Sequence, residues 1–135
     1  MDFYTIATVS FLNAIANAIL NGGQILITHL AVGDANGVYY EPLESQTQLV
    51  HETWRGEVDS VGLDPEDASR ILVTATIPDD IGGWGIMEVG LYSGATLMSV
   101  TKYPVTYKPA PEEGATKALE IRIQLDVSNP QIIDN

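Results

Sequence analysis

The hydrophobic period of this chain changes once, and that change limits the fold more than any other feature. Across residues 11–20 the apolar side chains fall at Phe11, Leu12, Ile15, Ala16, Ile19 and Leu20. This i, i+3, i+4 spacing gives a helix one apolar face, with Asn13 and Asn17 on the other side. Thr8 or Ser10 can accept from the free N–H groups at its start, and Asn21-Gly22-Gly23 supplies a left-handed stop. Beyond it, period-two patterns or compact apolar runs take over at residues 24–32, 54–61, 70–77, 84–92, 95–102 and 119–127. In the last run Leu119, Ile121, Ile123, Leu125 and Val127 alternate with Glu120, Arg122, Gln124 and Asp126, a strand with one face buried and one wet.

Turn chemistry separates the runs: Gly33-Asp34-Ala35-Asn36-Gly37, Asp64-Pro65-Glu66-Asp67, and Pro78-Asp79-Asp80-Ile81-Gly82-Gly83. Ser93-Gly94 is a two-residue link of the hairpin kind. Consecutive strands with short turns and no helices between them pair antiparallel. The expected class is therefore α+β, an N-terminal helix packed on a predominantly antiparallel β-sheet or sandwich. Two stretches stay irregular: residues 39–52, with a short helical turn expected around 45–49, and residues 104–114, whose prolines suggest a long exposed loop or arm.

A length of 135 residues fits one domain, 1–135, and 45% hydrophobic residues are enough for a core. Eighteen acids against six bases give a net charge of -12, a field that repels phosphate backbones and anionic membranes, so neither nucleic acid nor membrane is an expected partner. The chain has no cysteine, which removes disulfides and thiolate chemistry. Its N-terminus begins with an acid and is interrupted by Asn13 and Asn17, unlike a signal peptide or a membrane span, so a soluble product made in the cytosol is expected.

Four glycines surround one glutamate in Gly82-Gly83-Trp84-Gly85-Ile86-Met87-Glu88-Val89-Gly90-Leu91-Tyr92. The stretch lacks the third glycine and following helix of a dinucleotide loop, and it carries a carboxylate where the anion would sit. Asp34-x-Asn36-Gly37 opens like a calcium loop, but Val38, Tyr39 and Ser45 occupy the later ligand positions, which leaves a β-turn. His29 and His51 show no ligand spacing, and the acidic pairs Asp79-Asp80 and Glu112-Glu113 sit on turns facing water. No catalytic, cofactor or metal residue is assigned. By alternation Glu88 shares a face with Ile86, Gly90 and Tyr92, so it is expected as a buried structural acid held by backbone N–H groups or a base.

Several of these pieces, in order, resemble the phage tail-collar fibre family, the N-terminal domain of tail-fibre proteins. The carrying segments run from Ala14 to Gly37, Thr47 to Val58, Val73 to Val100 and Tyr103 to Asn129. They include the helix ending in Gly-Gly, the Val-Gly-Asp turn, the GG-x-x-x-x-E-x-G-L-Y core, Tyr-Lys-Pro and the terminal Val-Ser-Asn. Phe11 stands where relatives commonly place glycine, and Met87 where they commonly place arginine, so no Arg–Glu pairing is expected beside Glu88. The resemblance implies a virion structural domain without enzymatic activity, located in the phage tail, that attaches a receptor-binding fibre to the baseplate of a contractile tail or related particle. Its implied partners are other tail and baseplate proteins and its own copies, as a homotrimer through a fibre shaft, with a shaft-linking end near 128–135.

Exposed aromatics beside irregular segments, with two of their neighbours, are the expected anchors of that docking: Phe3, Tyr4, Tyr39, Tyr40, Trp84 and Tyr107, with Lys108 and Pro109. Two other readings stand beside it. A carbohydrate-binding module would lay Trp84, Tyr39 and Tyr40 coplanar on one open face, as a stacking platform for host surface glycans. An enzyme would use Glu88 as an acid beside a second carboxylate or nucleophile in a cleft.

Overall fold

In the computed structural model the described residues are 1–113, 117–127 and 132–134. Strand β1 (Tyr4–Ala7) leads into helix α1 (Val9–Asn21), followed by β2 (Ile25–Leu26), β3 (His29–Gly33), β4 (Glu52–Glu57), β5 (Ser60–Asp64), β6 (Asp67–Ile77), β7 (Trp84–Ser93), β8 (Thr96–Lys108), β9 (Leu119–Asp126) and β10 (Ile133–Asp134). The helix begins where Thr8 Oγ1 accepts from the Phe11 N–H and ends at Gly22, whose N–H bonds back to the Ala18 carbonyl. One five-stranded antiparallel sheet has the order β1-β8-β7-β3-β4, a second of three strands has the order β5-β6-β9, and β10 pairs with β2 in parallel.

The main core lies between the two sheets. Leu30 and Val32 of β3 and Ile86, Val89 and Leu91 of β7 meet Ile71, Val73, Ala75 and Ile77 of β6 and Ile121, Ile123 and Leu125 of β9. Phe11 of α1 is fully buried in the same cluster and anchors the helix to the sandwich. On the other face of the five-stranded sheet a smaller cluster forms from Ala31, Tyr92, Leu97, Val100 and Leu49, with Ile6 against it.

Several expectations shift. Residues 24–32 divide into β2 and β3, and residues 54–61 divide into β4 and β5, which belong to different sheets. The chain crosses between sheets at Val58-Asp59, whose N–H groups bond to Thr28 and Thr74 carbonyls respectively. In place of the short helical turn expected around 45–49, residues 39–51 carry a single hydrogen-bonded turn at 43–46, where the Gln46 N–H bonds to the Leu43 carbonyl at 3.0 Å. Residues 104–108, expected in an exposed arm, instead complete β8 against Trp84, Gly85 and Ile86.

The β7–β8 ladder breaks between Ile86 and Glu88, where three residues of β8, 103–105, stand opposite Met87 alone. Pro104 has no N–H to give the ladder, which is the physical reason for an irregularity there. The break also overturns the simple alternation: Ile86 joins Val89 and Leu91 in the main core, while Glu88 faces the other way. The expected shaft-linking stretch 128–135 lies outside the described residues except for 132–134.

Candidate functional site

Residues 38–51 form an irregular strap across the outer face of the five-stranded sheet, and its attachments follow from the strand register. One cross-strand row reads Tyr4, Lys102, Glu88, Gly33, Glu52. The next reads Ile6, Val100, Gly90, Ala31, Arg55. Polar groups of the first row bind the strap, and apolar groups of the second receive its Leu49.

Glu88, only 1% exposed, is the buckle. Its Oε1 accepts from the Tyr40 hydroxyl at 2.6 Å and the Val50 N–H at 2.9 Å. Its Oε2 accepts from the Ala35 N–H at 3.0 Å and the His51 N–H at 2.8 Å. Four donors on two oxygens compensate for the burial of a carboxylate, and no arginine is among them. Burial, then the hydrogen bond to Glu88, pushes the Tyr40 hydroxyl well above the usual tyrosine range. Gln46 Nε2 donates to the same hydroxyl at 3.2 Å.

The turn at residues 34–37 aims one of these donors. The Gly37 N–H bonds to the Asp34 carbonyl at 2.8 Å, with Ala35 at φ 52° and Asn36 at φ 55°, a type I′ turn. A left-handed alanine costs about 1 kcal/mol, and the conformation turns the Ala35 N–H onto Glu88. Asp34 Oδ1 accepts from the Asn36 N–H at 2.9 Å and lies 2.7 Å from His51 Nδ1. Burial pushes the Asp34 carboxyl up, but the hydrogen bonds from His51 and Asn36 outweigh it and hold the group below its ordinary value.

Two glycines make the strap's close approach possible. A Cβ on Gly33 would meet the His51 carbonyl oxygen and stand 2.5 Å from Glu88 Oε2. A Cβ on Gly90 would come within 2.9 Å of Leu97 and 3.1 Å of Leu49. The glycines flanking Glu88 in the fold therefore make room for side chains, not for a phosphate.

A second fastening joins the strap to β1. Lys102, with its side chain 7% exposed, bonds both oxygens of Glu41 at 3.0 and 3.1 Å. The Tyr4 hydroxyl donates to Glu41 Oε2 at 2.9 Å. The Lys102 bond, then that of Tyr4, holds the Glu41 carboxyl below its ordinary value. Tyr39 lies edge-on to Phe3, with centroids 5.8 Å apart and planes at 60°, and its hydroxyl donates to the Tyr103 carbonyl at 2.8 Å.

Apart from Tyr40, whose hydroxyl is spent on Glu88, the anchor residues read from the sequence fall into two groups. Phe3, Tyr4 and Tyr39 come together over β1, where Phe3 and Tyr4 are exposed. Trp84, Tyr107, Lys108 and Pro109 gather where β7 begins and β8 ends, with Trp84 opposite Lys108. Tyr107 is exposed, its hydroxyl donating to Glu113 at 2.6 Å. Lys108 is a correction: it is 1% exposed, and its ammonium turns inward to donate to the Ile81 carbonyl at 2.6 Å, so it braces the turn before β7 and offers nothing to a partner.

The structure does not gather Trp84, Tyr39 and Tyr40 into one open platform. Trp84 packs on the main core, Tyr40 spends its hydroxyl on Glu88, and Tyr39 leans on Phe3. Glu88 likewise has both oxygens saturated by donors, and among the described residues no group of three or more His, Asp or Glu side chains is arranged to hold a metal. Lys102, Glu41 and Gln46 were missed in the sequence, because nothing in their local spacing signals the strap that they hold.

The family model described as phage tail-collar fibre protein, N-terminal, matches residues 1–134. The chain is 34% identical over 131 residues to a protein described as a probable tail fiber protein of Escherichia phage P2. That match covers 96% of this chain and 20% of the relative, so the chain spans about a fifth of the relative's length. No solved structure matches the chain. With the family match running from end to end of the fold that the Glu88 buckle holds together, the chain belongs to the phage tail-collar fibre family, at its N-terminal domain.

Proposed function

We propose that this chain is an attachment module: a virion structural domain that fastens a receptor-binding fibre to the baseplate of a contractile phage tail or related particle, through protein contacts and without catalysis. The observation that carries the reading is the family match over residues 1–134, described as an N-terminal fibre domain, together with a tail fiber relative only 20% of whose length this chain matches. A rigid frame suits such a role, since a joint under load must hold its contact surface in one shape. The strap supplies that rigidity where a long irregular segment would otherwise fluctuate.

The partners are other tail and baseplate proteins, with the chain's own copies joined as a homotrimer through a shaft. Phe3, Tyr4 and Tyr39 beside β1, and Tyr107 with Pro109 at the far end of β8, are the docking anchors. The test is binding of the tagged chain to particles stripped of fibres, located by electron microscopy. Decoration of the baseplate, lost when Phe3 and Tyr107 are both changed to serine in a chain of unchanged melting temperature, is the expected result. Absence of binding by the unmodified chain would sink the attachment reading.

A further inference from the structure

The helix buries only one of its two apolar faces. Phe11 and Ala18 point into the core, yet Val9, Leu12, Ile19 and Leu20 remain 48%, 46%, 55% and 82% exposed, and Ala16 is exposed between them. Val9, Leu12, Ala16 and Ile19 recur at the three-then-four spacing of a coiled-coil seam, over two turns and more of α1. Leu43, 61% exposed, continues the patch at the helix start, where the Val9 N–H bonds to the Glu44 carbonyl. Leu26, 52% exposed, lies in β2, which follows the end of the helix.

Charge singles out the same face. The molecule carries a net charge of -12, so two copies repel one another over most of their surface. The thirteen residues of α1, VSFLNAIANAILN, include no charged side chain, and their outer face is where copies meet without that penalty.

We propose that the outer face of α1, formed by Val9, Leu12, Ala16, Ile19 and Leu20, is a self-association surface on which α1 of a second copy of this chain docks. The second copy is favoured over an unrelated partner because the seam spacing is complementary to itself and its uncharged surface tolerates a like-charged neighbour. The seam does not rest on the attachment reading.

The natural absence of cysteine makes the test direct. The 135-residue chain carrying Ala16→Cys is oxidised mildly beside one carrying Glu120→Cys, at an exposed position on β9. Helix docking raises the local thiol concentration, so the Ala16→Cys dimer is expected to form at least ~10-fold faster. In sedimentation velocity the unmodified chain is expected to associate as its concentration rises. Leu12→Glu with Ile19→Glu is expected to abolish that association at unchanged melting temperature.

Equal crosslinking at the two positions, an unmodified chain that stays monomeric, or a double variant that associates like the unmodified chain would each overturn the proposal. Binding to stripped particles separates the two readings. A monomeric chain that still decorates baseplates defeats only the α1 proposal, and an associating chain that never decorates them defeats only attachment.

Discussion

Replacing Glu88 by glutamine changes one atom and tests the buckle directly. The carboxylate accepts two donors on each oxygen: Tyr40 and Val50 on one, Ala35 and His51 on the other. An amide nitrogen on the Ala35–His51 side would face two backbone N–H groups that cannot turn away. Placed on the Tyr40–Val50 side it faces only one, because the Tyr40 hydroxyl can rotate and accept. Even this better orientation leaves the part-buried Val50 N–H without its acceptor, at up to about 1–3 kcal/mol. It also turns the two surviving charge-assisted bonds into neutral ones, worth about 1 kcal/mol less each. The sum is about 3–5 kcal/mol, a large share of the roughly 5–15 kcal/mol that holds a domain folded.

The assay is urea denaturation at neutral pH, compared with amide hydrogen exchange. The unfolding midpoint of Glu88→Gln is expected to fall by that amount, with Val50 losing protection before the strands do, because the strap has no ladder of its own. A midpoint shift worth under ~1 kcal/mol with Val50 exchange unchanged would refute the reasoning, since it would mean that water or another acceptor serves these donors.

Other outcomes follow from the same geometry. Gly33→Ala should destabilise the domain by about 2–4 kcal/mol in the same assay, because its Cβ would stand 2.5 Å from Glu88 Oε2 and against the His51 carbonyl. Ser99→Ala should be neutral or stabilising by about 1 kcal/mol in calorimetry, since the fully buried Ser99 hydroxyl has no partner among the described residues. Burial raises Tyr40, Tyr92 and Tyr103 above the ordinary 10.0, so the folded state holds them neutral after the unfolded chain has begun to ionise. Their contribution is complete below pH 10.0 and lost as pH rises above it, so urea midpoints should fall on that side, and midpoints that stay level there would count against it. At the acid end Asp34 is held below its ordinary 3.8, so its contribution is present above that pH and lost as pH falls below it. Asp34→Asn should flatten that part of the acid titration.

The sequence by itself determined the elements whose signal is local. The helix period, its Thr8 and Gly22 ends, the alternation from Leu119 to Asp126 and the turn residues at 34–37 all act between neighbours a few residues apart, where side-chain period and backbone φ decide the outcome. The charge balance and the order of the motifs were equally legible. Which sheet a strand joins was not: residues 54–61 look like one run, yet the chain leaves one sheet and enters the other at Val58-Asp59. Nor was the break at Pro104 enough on its own to reveal that Ile86 and Glu88 face opposite ways. Only the tertiary structure decided what surrounds Glu88, because its donors come from residues 37 to 53 positions away along the chain. A buried carboxylate must find donors, so the sequence can require that they exist. Their identity depends on the register of four strands and the path of a strap with no period, and those are set when the whole sheet closes.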